Sequence, residues 1–296
     1  MRIFRTDRFP LPLPPGHRFP AEKYRLMYEA VADAPGAEFV EAPRADNDEL
    51  GCAHTTDYLH KLDTGTLSRA EERAIGLPWS VELVERSRRS TGATIAACRA
   101  ALEDGMAASL AGGTHHAYAE RGSGFCVFND SAVALRLLQR EQLIQRALVI
   151  DLDVHQGNGT AAMLSGAPAL YTFSMHGAGN FPFQKEVSDH DVELPDDCGD
   201  DAYLDCLMHE LPSLFAASWP DLVIYLSGAD AYQGDRLGRL ALSRTGLATR
   251  DAMVLDSCSR YGVPVAVTMG GGYAVPIEDT VAIHAATITA ALARAR

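Results

Sequence analysis

The sequence predicts an α/β fold in three layers, with a mostly parallel central sheet between two layers of helices. Two observations carry that prediction. Apolar runs without polar alternation recur along the chain, as in strands covered on both faces. Segments with apolar residues at helical spacing lie between them, and strands alternating with helices make parallel sheets. The 296 residues are 47% hydrophobic and 22% charged, enough for one large core. No repeat, low-complexity tract or Gly-, Ser- or Pro-rich linker divides them, so a single domain over 1–296 is expected.

The start of the chain has no continuous apolar stretch of signal-peptide type, so it reads as mature cytoplasmic protein. Prolines between 10 and 20 alternate with Leu11, Leu13 and Phe19, which predicts an ordered, extended arm. Val84, Thr91, Ile95, Cys98 and Leu102 share one face of a helix. Residues 106–111 (MAASLA) suit a strand or a helix end, because alanine serves both. The clearest strands are 147–151 (ALVID), 170–174 (LYTFS), 222–227 (LVIYLS) and 263–269 (VPVAVTM). Val281, Ala285, Ile288 and Leu292 mark the inner face of a last helix. No apolar run is long enough to span a bilayer, so no membrane partner is expected.

The net charge is −13 and no basic patch is visible, which argues against a nucleic-acid partner. Acidity favours cationic partners, such as a lysine-rich tail or a polyamine, and more simply solubility. The six cysteines are scattered without a CxxC pair, so reduced thiols are expected and a thiolate metal site is not indicated.

In α/β sheets, ligands bind beyond the carboxyl ends of the strands, and polar residues gather there. ALVID runs into Asp151-Leu152-Asp153-Val154-His155. In extended backbone these alternate side chains point one way, and zinc accepts Asp oxygen and His nitrogen. Alone, the pattern reads equally as a solvated or salt-bridged turn; the preceding apolar strand favours metal. Asp230, just after LVIYLS, completes the three ligands of a catalytic zinc, although it could also cap a helix. Asp151 is then left to support a neighbour. His115 and His116 follow Gly112-Gly113-Thr114. One histidine can act as general base and then general acid, the other can hold positive charge, and each needs an orienting partner such as Asp151 or Asn158. The competing reading is two unrelated surface histidines. Gly270-Gly271-Gly272-Tyr273 follows VPVAVTM, and the Tyr273 hydroxyl could donate to an oxyanion. Alone, that segment is a turn before a core aromatic. Gly124 and Phe125, in 122–130 (GSGFCVFND), could wall a narrow channel or simply pack a loop.

Taken together, GGTHHA, GFCVFND, DLDVHQGNGT, SGADAY and GGGY, in this order, resemble the histone deacetylase and acetylpolyamine amidohydrolase superfamily. The segments HRFPAEKY from His17 and DLDVHQGNG from Asp151 look most like its class IV branch and bacterial relatives. The resemblance spans nearly the whole chain. It implies an arginase-like α/β/α fold and hydrolysis of an acyl group, acetyl or longer, from lysine side chains of proteins or peptides. The alternative it leaves is hydrolysis of small acylated amines such as acetylpolyamines.

The resemblance also implies roles. One zinc, or iron(II), would be held by Asp153, His155 and Asp230. Zinc and Tyr273 would polarise the acyl carbonyl. His116, oriented by Asn158, would be the main base and acid, and His115, oriented by Asp151, mainly electrostatic. Gly124, Phe125, Phe181 and Gly271 would line the substrate channel. Asp151 and Ser174 would lie at a structural potassium site. Two departures stand out. Asn158 replaces the aspartate of many members and cannot charge-stabilise His116, and Tyr232 stands where His is frequent. A catalytically dead binding module is disfavoured by the intact set. A binuclear manganese hydrolase would need more bridging carboxylates and histidines. Oligomeric state is not legible.

Overall fold

The apolar runs fold into one sheet of eight strands: β1 (Arg2–Arg5), β2 (Glu38–Glu41), β3 (Met106–Ser109), β4 (Ala147–Asp151), β5 (Leu170–Gly177), β6 (His190–Leu194), β7 (Leu222–Gly228) and β8 (Val265–Gly270). The structure is a computed structural model and describes residues 1–295. The sheet order is β2-β1-β3-β8-β7-β4-β5-β6, and each neighbouring pair is parallel.

Why the central runs are apolar throughout is visible in β4. Leu148 and Ile150 enter one buried cluster, while Ala147 and Val149 enter the other. β7 divides in the same way, with Val223 and Tyr225 on one face and Leu222 and Ile224 on the other. Both faces are covered, so both sets must be apolar. β1, β2 and β6 escape sequence reading because they are short and carry charges (RIFR, EFVE, HDVEL). Residues 106–111 resolve as a strand over their first four positions.

The helices are α1 (Lys23–Val31), α2 (Asn47–Leu50), α3 (Thr56–Thr64), α4 (Arg69–Ile75), α5 (Val81–Asp104), α6 (Asp130–Arg140), α7 (Asn158–Leu164), α8 (Asp200–Ser218), α9 (Arg244–Tyr261) and α10 (Ile277–Leu292). Apolar residues of α1, α8, α9 and α10 join the first cluster, and those of α2 to α7 join the second. Among the described residues no helix is long and apolar enough to cross a membrane.

On α5 the predicted face is buried at Val84, Thr91, Ile95 and Cys98, with Leu102 at its edge. On α10 the buried line is Val281, His284, Ile288 and Ala291, so Ala285 and Leu292 are only half-buried. His284, polar by type, takes the inner place, and burial pushes its pKa down to about 3. The 10–20 arm is packed rather than free. It turns at Pro14, where the His17 N–H donates to the Pro14 carbonyl (3.1 Å), instead of running extended throughout. Leu11, Leu13 and Phe19 lie against the second cluster, and His17 Nε2 meets the Gly76 carbonyl at 3.1 Å.

Helix α5 passes one crowded point. A Cβ on Gly92 would lie 2.1 Å from the Pro43 carbonyl oxygen. Helix propensity alone favours alanine over glycine by about 1 kcal/mol, but overpacking of this kind costs about 1–3 kcal/mol. Gly92→Ala should therefore destabilise the fold. The check is the midpoint of chemical unfolding, and a higher midpoint than wild type would show that the 43–45 segment yields freely.

Candidate active site

Four adjacent strands, β3, β8, β7 and β4, bring their carboxyl ends together. β4 ends at Asp151, so the extended geometry expected through His155 stops there. The chain bends instead, because each aspartate accepts from the backbone two residues on. Asp151 Oδ1 accepts from the Asp153 N–H (3.1 Å), and Asp153 Oδ1 accepts from the His155 N–H (2.9 Å). Asp151 is thereby turned away from the other two and towards His115. Asp230 follows β7 by two residues. Its Oδ1 accepts from the Val154 N–H at 3.0 Å, which locks the two loops together. It caps no helix; the next one, α9, is capped by Ser243.

Asp153, His155 and Asp230 each bring one ligand atom within 4.8 Å of the others, and all three are buried. His155 Nδ1 lies 2.9 Å from Asp153 Oδ1 and 3.2 Å from Asp230 Oδ2. Burial opposes the imidazolium, but the two carboxylates outweigh it and hold the His155 pKa up at about 10. Asp230 Oδ2 receives no aligned hydrogen bond, although it is buried. Two carboxylates and an imidazole facing one point, with an acceptor left over, fit a divalent cation.

The His115–His116 loop is held from below by α6. Asp130 accepts from the Gly113 N–H (3.0 Å), the Thr114 N–H (2.8 Å) and the Thr114 hydroxyl (2.8 Å). Asn129 donates to the Ala117 carbonyl (3.2 Å) while its Oδ1 caps α6 through the Ala132 N–H. His115 Nδ1 meets Asp151 Oδ2 at 2.6 Å, and His116 Nδ1 meets Asn158 Oδ1 at 2.7 Å. The rings are 4.1 Å apart by centroids, yet their electrostatics diverge. Burial works against charge on both. Asp151 and Asp153 reverse it for His115, whose pKa rises to about 9. No carboxylate does so for His116, and positive charge on His115 and His155 pushes it further below its usual value.

The segment after β8 needs glycine at one point. Gly271 has φ +45°, and a Cβ there would lie 2.0 Å from Asp230 Oδ2, on the donor set itself. Tyr273 is buried, which raises its phenol pKa well above the usual value and keeps the hydroxyl protonated. Gly124, Phe125, Phe181, Gly271 and Tyr273 line a cavity of about 730 Å³ together with His115, His116, Asp153 and His155. Phe181 stands edge-on to the His116 ring at 4.9 Å. Ser174 sits beside Asp151 in the β4–β5 register, and its hydroxyl contacts His176 Nδ1 at 3.0 Å. Tyr232 turns away to Asp279 (3.4 Å).

Several supporting residues escaped the sequence. Asp235 Oδ2 accepts from the Tyr273 N–H (2.6 Å) and Oδ1 from the Leu237 and Gly238 N–H groups. Its signal is an Asp three residues before a Gly, the pattern of a side-chain-closed turn. Burial and Asp230 raise its pKa to about 6. Lys23 Nζ donates to the Gly271 carbonyl, across 248 residues of chain, and no local pattern announces that. Asn129 and Asp130 do have a signal, an Asn-Asp pair at the start of an amphipathic helix.

Comparison with known proteins finds relatives along nearly the whole chain. A family model described as histone deacetylase domain matches residues 17–291. The chain is 46% identical over 276 residues to an uncharacterized protein of Picosynechococcus sp., covering 92% of each. It is 33% identical to histone deacetylase 2 of Arabidopsis thaliana, over 87% of this chain and 70% of that protein. It is 30% identical to a histone deacetylase-like amidohydrolase of Pseudomonas aeruginosa, over 88% and 74%. The crystal structure of an HDAC homolog from Aquifex aeolicus superposes with a TM-score of 0.82 at 23% identity, over 100% of this chain and 84% of that one, a likeness of fold.

The donor set makes a direct prediction. Asp230→Ala should weaken divalent-metal binding by more than the roughly 10- to 100-fold that loss of a supporting hydrogen bond costs. Metal content after dialysis, measured on variant and wild type with matching circular dichroism, checks it. Full occupancy in the variant would remove Asp230 from the donor set.

Proposed function

The chain belongs to the histone deacetylase family of deacetylase-type hydrolases, and from that premise we propose that it is a zinc-dependent enzyme removing acetyl or longer acyl groups from lysine side chains of proteins or peptides. The observation that carries this reading is the convergence of Asp153, His155 and Asp230 on one point, in a cavity shared with the His pair and Tyr273.

An amide is a poor electrophile with a poor leaving group, so both the carbonyl and the departing amine need help. Zinc, when bound, supplies Lewis acidity to the carbonyl and to water; iron(II) suits the same nitrogen and oxygen donors. His116, kept neutral by burial and by the positive charge on His115, is the group able to take a proton from water and return it to the amine. His115, whose cationic form Asp151 favours, would offset negative charge as the oxyanion forms. The Tyr273 hydroxyl, kept protonated, donates to that oxyanion. A potassium ion between β4 and β5, at Asp151 and Ser174, belongs to the same reading. A cytoplasmic setting is supported by six cysteines that are all free thiols.

One observation weighs against the small-amine alternative. Among the described residues, the only carboxylate lining the cavity is Asp153 of the donor set, while Arg18, Lys23, Arg73 and Arg239 all line it. Arg239 pairs with Asp196 (3.1 Å); Arg18 and Arg73 have no ion pair among the described residues. An acylated polyamine would bring its cationic amine to a wall of like charge. The acidic net charge therefore does not describe the mouth.

Two measurements test the reading. Peptides bearing acetyl-, octanoyl- or myristoyl-lysine should be cleaved by zinc-loaded enzyme and spared after chelation, with acetylputrescine cleaved poorly. Cleavage of acetylputrescine alone would move the activity to small amines, and no cleavage at all would favour a binding module. Tyr273→Phe should retain zinc and lose turnover by about 100-fold or more; unchanged turnover would take Tyr273 out of the chemistry.

A further inference from the structure

An asparagine side chain has an acceptor end and a donor end of nearly equal shape. An aspartate beside His116 could only accept, but Asn158 can present either end. The two presentations have opposite consequences. With Oδ1 facing Nδ1, the ring proton sits on Nδ1, and Nε2 keeps its lone pair. With the amide reversed, Nδ2 donates to Nδ1 and the proton moves to Nε2, where the ring can no longer accept one from water. In the structure Oδ1 faces His116 Nδ1 at 2.7 Å.

The reason lies behind the amide. Asn158 Nδ2 donates to the Tyr118 hydroxyl oxygen at 2.8 Å, and the Tyr118 hydroxyl donates to Glu186 Oε1 at 3.1 Å. Glu186 is itself anchored. Its N–H donates to Gln156 Oε1 (2.8 Å), and its carbonyl accepts from Gln156 Nε2 (2.7 Å). The Tyr118 ring is clamped between this chain and the Arg121 guanidinium, 3.8 Å from the ring centroid. A carboxylate can only accept. Tyr118 must therefore donate to Glu186, its oxygen is left to accept from Asn158, and the amide has one orientation that satisfies both ends.

We infer that Tyr118 and Glu186 are positioning residues. They fix the amide of Asn158 and through it the Nδ1–H tautomer of His116. The inference rests on the reading of His116 as the proton carrier only for its effect on turnover; its effect on the tautomer stands independently. It also gives the departure at Asn158 a physical account. Where a carboxylate would set the tautomer directly, this chain sets it through two residues further out.

The experiment uses the full-length chain, zinc-reconstituted and labelled with ¹⁵N-histidine, with the His116 signals assigned by their loss in His116→Gln. Wild type should show the Nδ1–H tautomer. In Tyr118→Phe the amide loses its outer acceptor, so the ring signals should shift towards the Nε2–H form. Turnover, where measurable, should fall by roughly tenfold with little change in KM, the size of one hydrogen bond. Tyr118→Phe with Asn158→Asp should recover the Nδ1–H signature and most of the turnover, because aspartate has no donor end. Should Tyr118→Phe fail to fold, Glu186→Gln, whose amide can also donate to the phenol, should show the same shift in weaker form. A wild-type tautomer in both single variants, or a double variant no better than Tyr118→Phe, would overturn the inference. A wild type that cleaves no acyl substrate would count against the proposed reaction while leaving the tautomer result to decide this one.

Discussion

Three carboxylates, Asp151, Asp153 and Asp230, are buried within one site, and the rest of the structure is arranged around that burial. An uncompensated buried charge costs several kcal/mol, so these carboxylates need partners, and Asp230 Oδ2, which no hydrogen bond meets, is left to a cation. The backbone supplies part of the answer, through the N–H groups of Asp153, Val154 and His155. The imidazoles of His115 and His155 supply more. Beneath them lies Arg250, fully buried and paired with Asp251 at 2.8 Å. Its guanidinium donates to the Leu152 carbonyl (3.2 Å) and the Gly228 carbonyl (2.7 Å). The first is the peptide unit that leads into Asp153, and the second ends β7 two residues before Asp230. A positive group thus holds the two loops together at the point where their negative side chains would push them apart.

The central sheet and the reactive side chains were legible in sequence for the same reason. A strand covered on both faces cannot hide polar residues, so Asp151, Asp230 and the Gly270-Gly271-Gly272-Tyr273 run stand out where apolar runs end. The expectation was less sound about why Asp153 and His155 meet. Strand alternation would have projected Asp151 with them, whereas two backbone-to-carboxylate turns swing it to His115. Strand β1 and the edge strands β2 and β6 were illegible because runs of four or five residues that mix charged with apolar side chains carry no periodic signal. Lys23, Tyr118, Glu186 and Arg250 were illegible because the hydrogen bonds by which they support the site span 22 to 248 residues. Such contacts are set by topology and leave no local trace.

Charge is the property that sequence totals misstate most. A balance of −13 suggests a surface that attracts cations. Part of that negative charge is buried in the site, and the cavity wall carries arginines from the arm, α4 and the loop before α9. The field met by an incoming chain depends on the few groups at the mouth, over about a Debye length, and these have the opposite sign.

The arm that turns at Pro14 and docks on Gly76 has a consequence for how such an enzyme changes over time. It contributes Arg18 and Phe19 to the cavity wall, yet it lies almost a hundred residues before His115 and belongs to no strand or helix. Ring contacts of 5.3 Å to Phe125 and 6.5 Å to Tyr273 are its link to the reacting region. Selectivity and chemistry are therefore written on separate stretches of the chain. Mutational drift in the arm can explore new substrates while the machinery that breaks the bond is inherited intact.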